Sequence, residues 1–159
     1  MNRLSLLALA LLPAMSGSVA LAAEDAVVAP PVADAALAQR LGADQRGMRG
    51  YVLVILKTGP VRVPDGEARK AMFAGHFANM ERLSKAGKLV LAGPFDKDPA
   101  GWRGVFVFAV DDVEEASRLV ATDPVIVSGE MVAEYHPWYA SAAMMMIPEI
   151  HARIAPGQP

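Results

Sequence analysis

The chain has 159 residues, with 15 basic against 17 acidic side chains, a formal charge of −2 and no cysteine. The absence of cysteine excludes disulfides, thiol nucleophiles, iron–sulfur clusters and thiolate zinc sites, so stability must come from burial of apolar side chains. The slight acidic excess provides no basic surface for nucleic acid, and the length suits one domain.

Arg3 precedes an apolar run, Leu4 to Leu12, followed by Pro13 and small residues ending Ala20-Leu21-Ala22. This is the pattern of a secretory signal peptide over residues 1–22, cut before Ala23. A membrane anchor would need roughly 20 uninterrupted apolar residues, and Pro13, Ser16, Gly17 and Ser18 interrupt this run. The mature chain is therefore expected to be exported, to the periplasm, and free of the membrane. Residues 23–50 are rich in alanine, contain Pro30-Pro31 and have no aromatic residue before Tyr51, which predicts a flexible arm. Within it, Ala35 to Leu41 has the make-up of one or two helical turns.

The domain proper is expected over residues 51–139. It opens with Tyr51-Val-Leu-Val-Ile-Leu56, a continuous apolar and β-branched run typical of a strand buried on both faces. Gly59-Pro60 ends it and Pro64-Asp65-Gly66 makes a turn. Glu67 to Ala86 carries apolar residues at 72, 73, 77, 80 and 83, the spacing of an amphipathic helix, stopped by Gly87. Lys88 to Ala92 and Trp102 to Val110 predict two strands of a hairpin. Asp111-Asp112-Val-Glu114-Glu115 is a helix start with a capping-box pattern, placing Ala116, Leu119 and Val120 inward up to about Thr122. Glu130 to Trp138 predicts a fourth strand, and residues 140–159 a tail holding Met144-Met145-Met146.

The order β-α-β-β-α-β predicts an α+β, ferredoxin-like domain: a four-stranded antiparallel sheet with two helices on one face. In the third strand Val105, Val107 and Ala109 alternate with Phe106, Phe108 and Val110, so both faces are apolar. Two helices cover one of them. The other should pack on a second subunit, giving a homodimer through the sheet face.

Gly75-His76-Phe77-Ala78-Asn79, the segment Gly87 to Phe95 with Ala92-Gly93-Pro94, the pair Asp123-Pro124 and the ending Glu134-Tyr135-His136-Pro137-Trp138 together resemble the YCII (YciI-like) family over residues 51–139. The resemblance implies a dimeric α+β barrel of ferredoxin-like domains. It also implies an active site that uses the helix histidine and the aspartate of the Asp-Pro pair, here His76 and Asp123.

The topology puts the start of the first helix and the end of the second at the same sheet edge, which allows the two to meet. Imidazole titrates near neutral pH, and a carboxylate on its second nitrogen would fix the tautomer and stabilise the charged form. His76 equally suits a hydrogen-bonded core residue at the 73, 76, 80, 83 spacing, and Asp123 before Pro124 equally suits a helix cap. His136 and Asn79 are assigned structural or interface roles, and Trp102 and Trp138 core or dimer-face packing. The histidines lack metal-ligand spacing, and no P-loop, dinucleotide fingerprint or G-x-S-x-G elbow occurs. The adjacent methionines point in different directions and suit packing better than copper. No metal and no cofactor are therefore assigned.

Two functions remain: a lyase or isomerase that moves a proton on a small molecule with His76 as base and Asp123 as its orienting partner, or a non-catalytic small-molecule-binding or interaction module.

Overall fold

The computed structural model describes residues 32–155. The expected signal peptide at 1–22, the arm as far as residue 31 and residues 156–159 lie outside the described residues. In chain order the elements are α1 (Ala35–Arg40), β1 (Met48–Thr58), α2 (Glu67–Lys85), β2 (Leu89–Pro94), β3 (Trp102–Phe108), α3 (Val113–Val120), α4 (Pro124–Val127), β4 (Met131–Ser141), a 3₁₀ turn (Ala142–Met146) and α5 (Ile147–Ile154).

The strands form one antiparallel sheet in the order β2-β3-β1-β4. That is the ferredoxin-like arrangement, with β1 and β3 central because they are the most continuously apolar. Val52, Val54 and Leu56 of β1 and Phe106 and Phe108 of β3 point to one face, where Met72 and Leu83 of α2 and Ala116 and Val120 of α3 bury them. Local chemistry sets the helix ends. The Asp112 carboxylate accepts the Glu115 N–H at 2.7 Å at the start of α3. At the end of α2, Gly87 takes φ 69° while Gly87 N–H and Lys88 N–H return to Ser84 O and Leu83 O, closing a Schellman motif.

Three expectations are corrected. β1 begins at Met48 rather than Tyr51, because Met48, Arg49 and Gly50 pair with Ser141, Ala140 and Tyr139 of β4. The helical turns expected at Ala35 to Leu41 are present as α1, capped by Asp34, and Leu41 is buried. Second, β4 extends to Ser141 rather than ending at Trp138, and the turn and α5 occupy the stretch read as tail. Third, part of the second sheet face is covered by the chain itself. Tyr51, Val90, Val107 and Ala140 are buried there with Met144 and Met145 packed against them. Hydrogen bonds from Tyr51 Oη to Ser141 O at 3.1 Å and from Ala142 N–H to Gly47 O at 2.9 Å hold the chain across this end. Leu53 and Val105 stay half-buried, and Val132 and Trp138 exposed, on the remainder of the face. β4 is an edge strand and carries Pro137 opposite Val52 of β1.

One charged cluster is buried. Glu130, 2 % exposed, receives Arg69 Nη2 at 2.8 Å and the Val63 N–H at 2.8 Å, while Arg69 Nη1 donates to Val63 O at 2.9 Å. This network fixes the loop before α2 onto the base of β4. The hydrogen bond from Arg69, aided by the Val63 N–H and opposed by burial, holds the Glu130 carboxyl below the usual carboxylate range.

A chain ending at Ser141 should uncover Tyr51, Val90 and Val107; urea unfolding is expected to show a loss of at least about 2 kcal/mol, with raised dye binding to the exposed apolar face. For Glu130, whose folded pKa is depressed, the stabilisation is present above the unfolded value near 4.5 and lost as pH falls through the folded value. Glu130→Gln should therefore melt well below the parent at pH 7, and the gap should narrow as the pH is lowered past that window.

Candidate functional site

The buried stripe of α2 runs Met72, His76, Asn79, Leu83, steps of four, three and four residues, with polar groups at its centre. Phe77, expected in the apolar stripe, instead lies 61 % exposed, because the stripe's axis passes through His76 and leaves Phe77 on the flank. A buried imidazole is costly without a partner. Asp123, 0 % exposed, supplies one: its Oδ2 lies 2.7 Å from His76 Nδ1.

The same carboxylate caps α4. Asp123 Oδ1 accepts the Val125 N–H at 3.1 Å, and Pro124 occupies the first helical position, where its missing N–H costs nothing. The cap fixes the rotamer that aims Oδ2 at the histidine. Gly75 permits the approach of α4 to α2, since a Cβ there would come within 2.9 Å of Pro124 Cγ. Asn79 adds a second tie: its Oδ1 accepts Arg82 Nη2 at 2.7 Å and lies 3.1 Å from the Thr122 hydroxyl, the residue before Asp123. Among the described residues no buried side-chain nitrogen or oxygen lacks a partner.

With Nδ1 donating to Asp123, the neutral ring carries its lone pair on Nε2. The ring stacks on Phe106 at 6.0 Å between centroids and meets Phe73 edge-on at 6.2 Å. It borders a cleft of about 330 Å³ between α2 and the ends of β2 and β3, whose walls include Phe73, Phe77, Met80, Pro94, Phe95 and Phe106. Gly104, opposite Leu56, lets the β2 backbone come close beside the cleft, since a Cβ there would lie 3.0 Å from Gly93 O. Arg103 is the charged residue of the lining. Neither it nor the Arg69–Glu130 pair follows from motif or periodicity; the signal available was an acidic residue opening a strand, with arginines near two turns.

The other candidates lie elsewhere. His136 is on β4, opposite Leu53, on the far sheet face, where its Nε2 meets Glu134 Oε1 at 2.9 Å. His151 is exposed on α5. Neither tryptophan is core: Trp138 tilts against Tyr51 on the far face, and Trp102 sits beside Phe95 near the cleft mouth, both partly exposed. Among the described residues no three His, Asp or Glu side chains group as metal ligands.

Asp123→Ala removes a cap, worth about 1 kcal/mol, and strands a buried imidazole N–H, worth about 1–3 kcal/mol. A total loss of about 2–4 kcal/mol is expected in urea unfolding, with disappearance of the protected His76 Nδ1–H proton resonance. Asp123→Asn, which keeps the cap oxygen, should cost less.

The chain is similar to known proteins. Uncharacterized protein YjpA of Bacillus subtilis (strain 168) is 34 % identical over 65 residues, 41 % of this chain and 73 % of that protein. The 5-chloro-2-hydroxyhydroquinone dehydrochlorinase TftG from Burkholderia phenoliruptrix AC1100, solved with 2,5-dihydroxybenzoquinone, is similar at a TM-score of 0.39 and 21 % identity, covering 55 % of this chain and 92 % of that one. The YCII-related domain family matches residues 50–139, from β1 through β4 and across His76 and Asp123, and the chain belongs to that family.

Proposed function

We propose that the protein is a small-molecule enzyme of lyase or isomerase type, with His76 as general base and Asp123 as its positioning residue. The observation that carries this is the 2.7 Å contact of His76 Nδ1 with a fully buried carboxylate, on a ring that borders an apolar cleft. A tautomer held by a buried acceptor leaves the lone pair on Nε2, free to take a proton.

The step is a proton transfer. Nε2 takes a proton from a carbon next to a carbonyl; the C–H pair becomes the C=C bond of an enolate, and the positive imidazolium faces the Asp123 carboxylate. Return of the proton to another atom of the conjugated system completes an isomerisation. Loss of an anionic leaving group from the adjacent carbon completes an elimination, with the proton retained on His76 until solvent removes it.

The leader pattern over residues 1–22 supports placing this chemistry outside the cytoplasm, in the periplasm. The uncovered part of the sheet around Leu53, Val105 and Trp138 supports a homodimer assembled through that face, with residues 51–139 as its domain. Sedimentation equilibrium of the parent and of Leu53→Glu would test the assembly: a dimer converted to monomer is expected, and a monomeric parent would refute it.

The activity is tested by deuterium exchange at carbon acids flanking a carbonyl, followed by proton NMR across a panel of small cyclic and acidic ketones. Exchange catalysed by the parent should fall roughly 100-fold or more in His76→Ala and in Asp123→Asn, where the amide NH₂ would push the ring proton onto Nε2. Exchange undiminished in His76→Ala overturns the proposal. Ligand binding by the parent that survives in His76→Ala, without exchange in either protein, identifies a binding module instead.

A further inference from the structure

β3 contains one irregularity. Leu56 of β1 pairs with Gly104, but Lys57 pairs with Trp102, so Arg103 is the extra residue of a β-bulge. Strict alternation would send Arg103 to the far face with Val105, two residues on. Bulges re-aim side chains, and here Arg103 turns to the helix-covered side, where it lines the cleft shared with His76.

Its charge is not consumed there. The nearest carboxylate, Glu130, is 3.8 Å from Arg103 Nη1, beyond hydrogen-bond reach, and both Glu130 oxygens are already engaged, one by Arg69 at 2.8 Å and the other by the Val63 N–H. Among the described residues no acceptor takes a hydrogen bond from the Arg103 guanidinium, whose side chain is 30 % exposed. Arg62 and Arg69 also face Asp65, at 3.6 Å and 3.4 Å. Three guanidiniums thus meet two carboxylates, a local excess of one positive charge beside the cleft. The lining also carries two rings left in water: Phe77 is 61 % and Phe95 37 % exposed.

We infer that the cleft binds a small organic carboxylate, its anionic group on Arg103 and its flat apolar body between Phe77 and Phe95. A planar guanidinium with free N–H groups matches a carboxylate in two parallel hydrogen bonds. The single uncompensated charge matches a monoanion, whereas a phosphate dianion would remain half unpaired between apolar walls. The inference deepens the proposed proton-transfer role of His76, resting on it for the chemistry and not for the binding: a carbonyl acid so held would present the carbon beside its carbonyl to His76, and Arg103 is the residue that would select acids over neutral analogues.

The test is calorimetric titration of the full mature chain with benzoate, cinnamate and phenylpyruvate, each against its methyl ester. At least one acid should bind roughly 10-fold or more tightly than its ester, the value of a charge-assisted pair. Arg103→Gln should abolish the preference and Arg103→Lys should keep part of it, with circular dichroism reporting that both are folded. If Arg103 serves only to steady Glu130, Arg103→Gln lowers the melting temperature and leaves the preference intact, and the inference is wrong. It is equally overturned if acids and esters bind alike, or if no acid binds up to about 10 mM. A clear acid preference without deuterium exchange in phenylpyruvate upholds the binding inference while removing the catalytic role of His76.

Discussion

A single buried carboxylate joins the fold to the site. Asp123 sits where two demands meet: α4 needs an acceptor for its first N–H groups, and α2 carries an imidazole into the core that needs an acceptor for Nδ1. One oxygen answers each demand. The cost of burying a carboxylate is offset because both oxygens are hydrogen-bonded, and neither the helix start nor the histidine could keep its position if the other moved. Gly75 lets the two backbones come close enough for this, and Asn79 binds the preceding residue to the same helix.

Much of this was legible in the residues. Hydrophobic runs and turn residues located all four strands and the helices α2 and α3, and their order dictated the sheet, because each apolar run had one period and one length. Asp123-Pro124 could be read as a cap from its chemistry, and topology brought it to the edge where α2 begins. Two features were not legible. The covering of the far sheet face depends on residues 142–146, whose Ala-Met composition has no strand or helix period; only the bulge that turns both Val90 and Leu91 toward that face, and the hydrogen bonds beyond Ser141, give them a place. The register of β3 at Arg103 was equally hidden, since alternation in sequence says nothing about where a partner strand skips a residue.

The polar groups of the core divide into two sets with different work. Glu130, Arg69 and Val63 tie a loop to a strand through their mutual hydrogen bonds, a structural use of charge. His76 and Asp123 are saturated on one side and open on the other, since Nε2 has no protein partner among the described residues. Residues of the first kind fix the loop beside the cleft; those of the second leave an unpaired ring nitrogen on a residue of its wall.

Pro137 limits how the sheet can grow. A proline in an edge strand offers no N–H to a neighbour, and the strand continues for four residues beyond it while remaining bound to β1. A foreign strand laid along β4 would lose its ladder near the middle, so runaway strand addition, the route by which exposed edges seed fibrils, is blocked on this side. Backbone pairing along this edge is thereby disfavoured relative to side-chain packing on the sheet face.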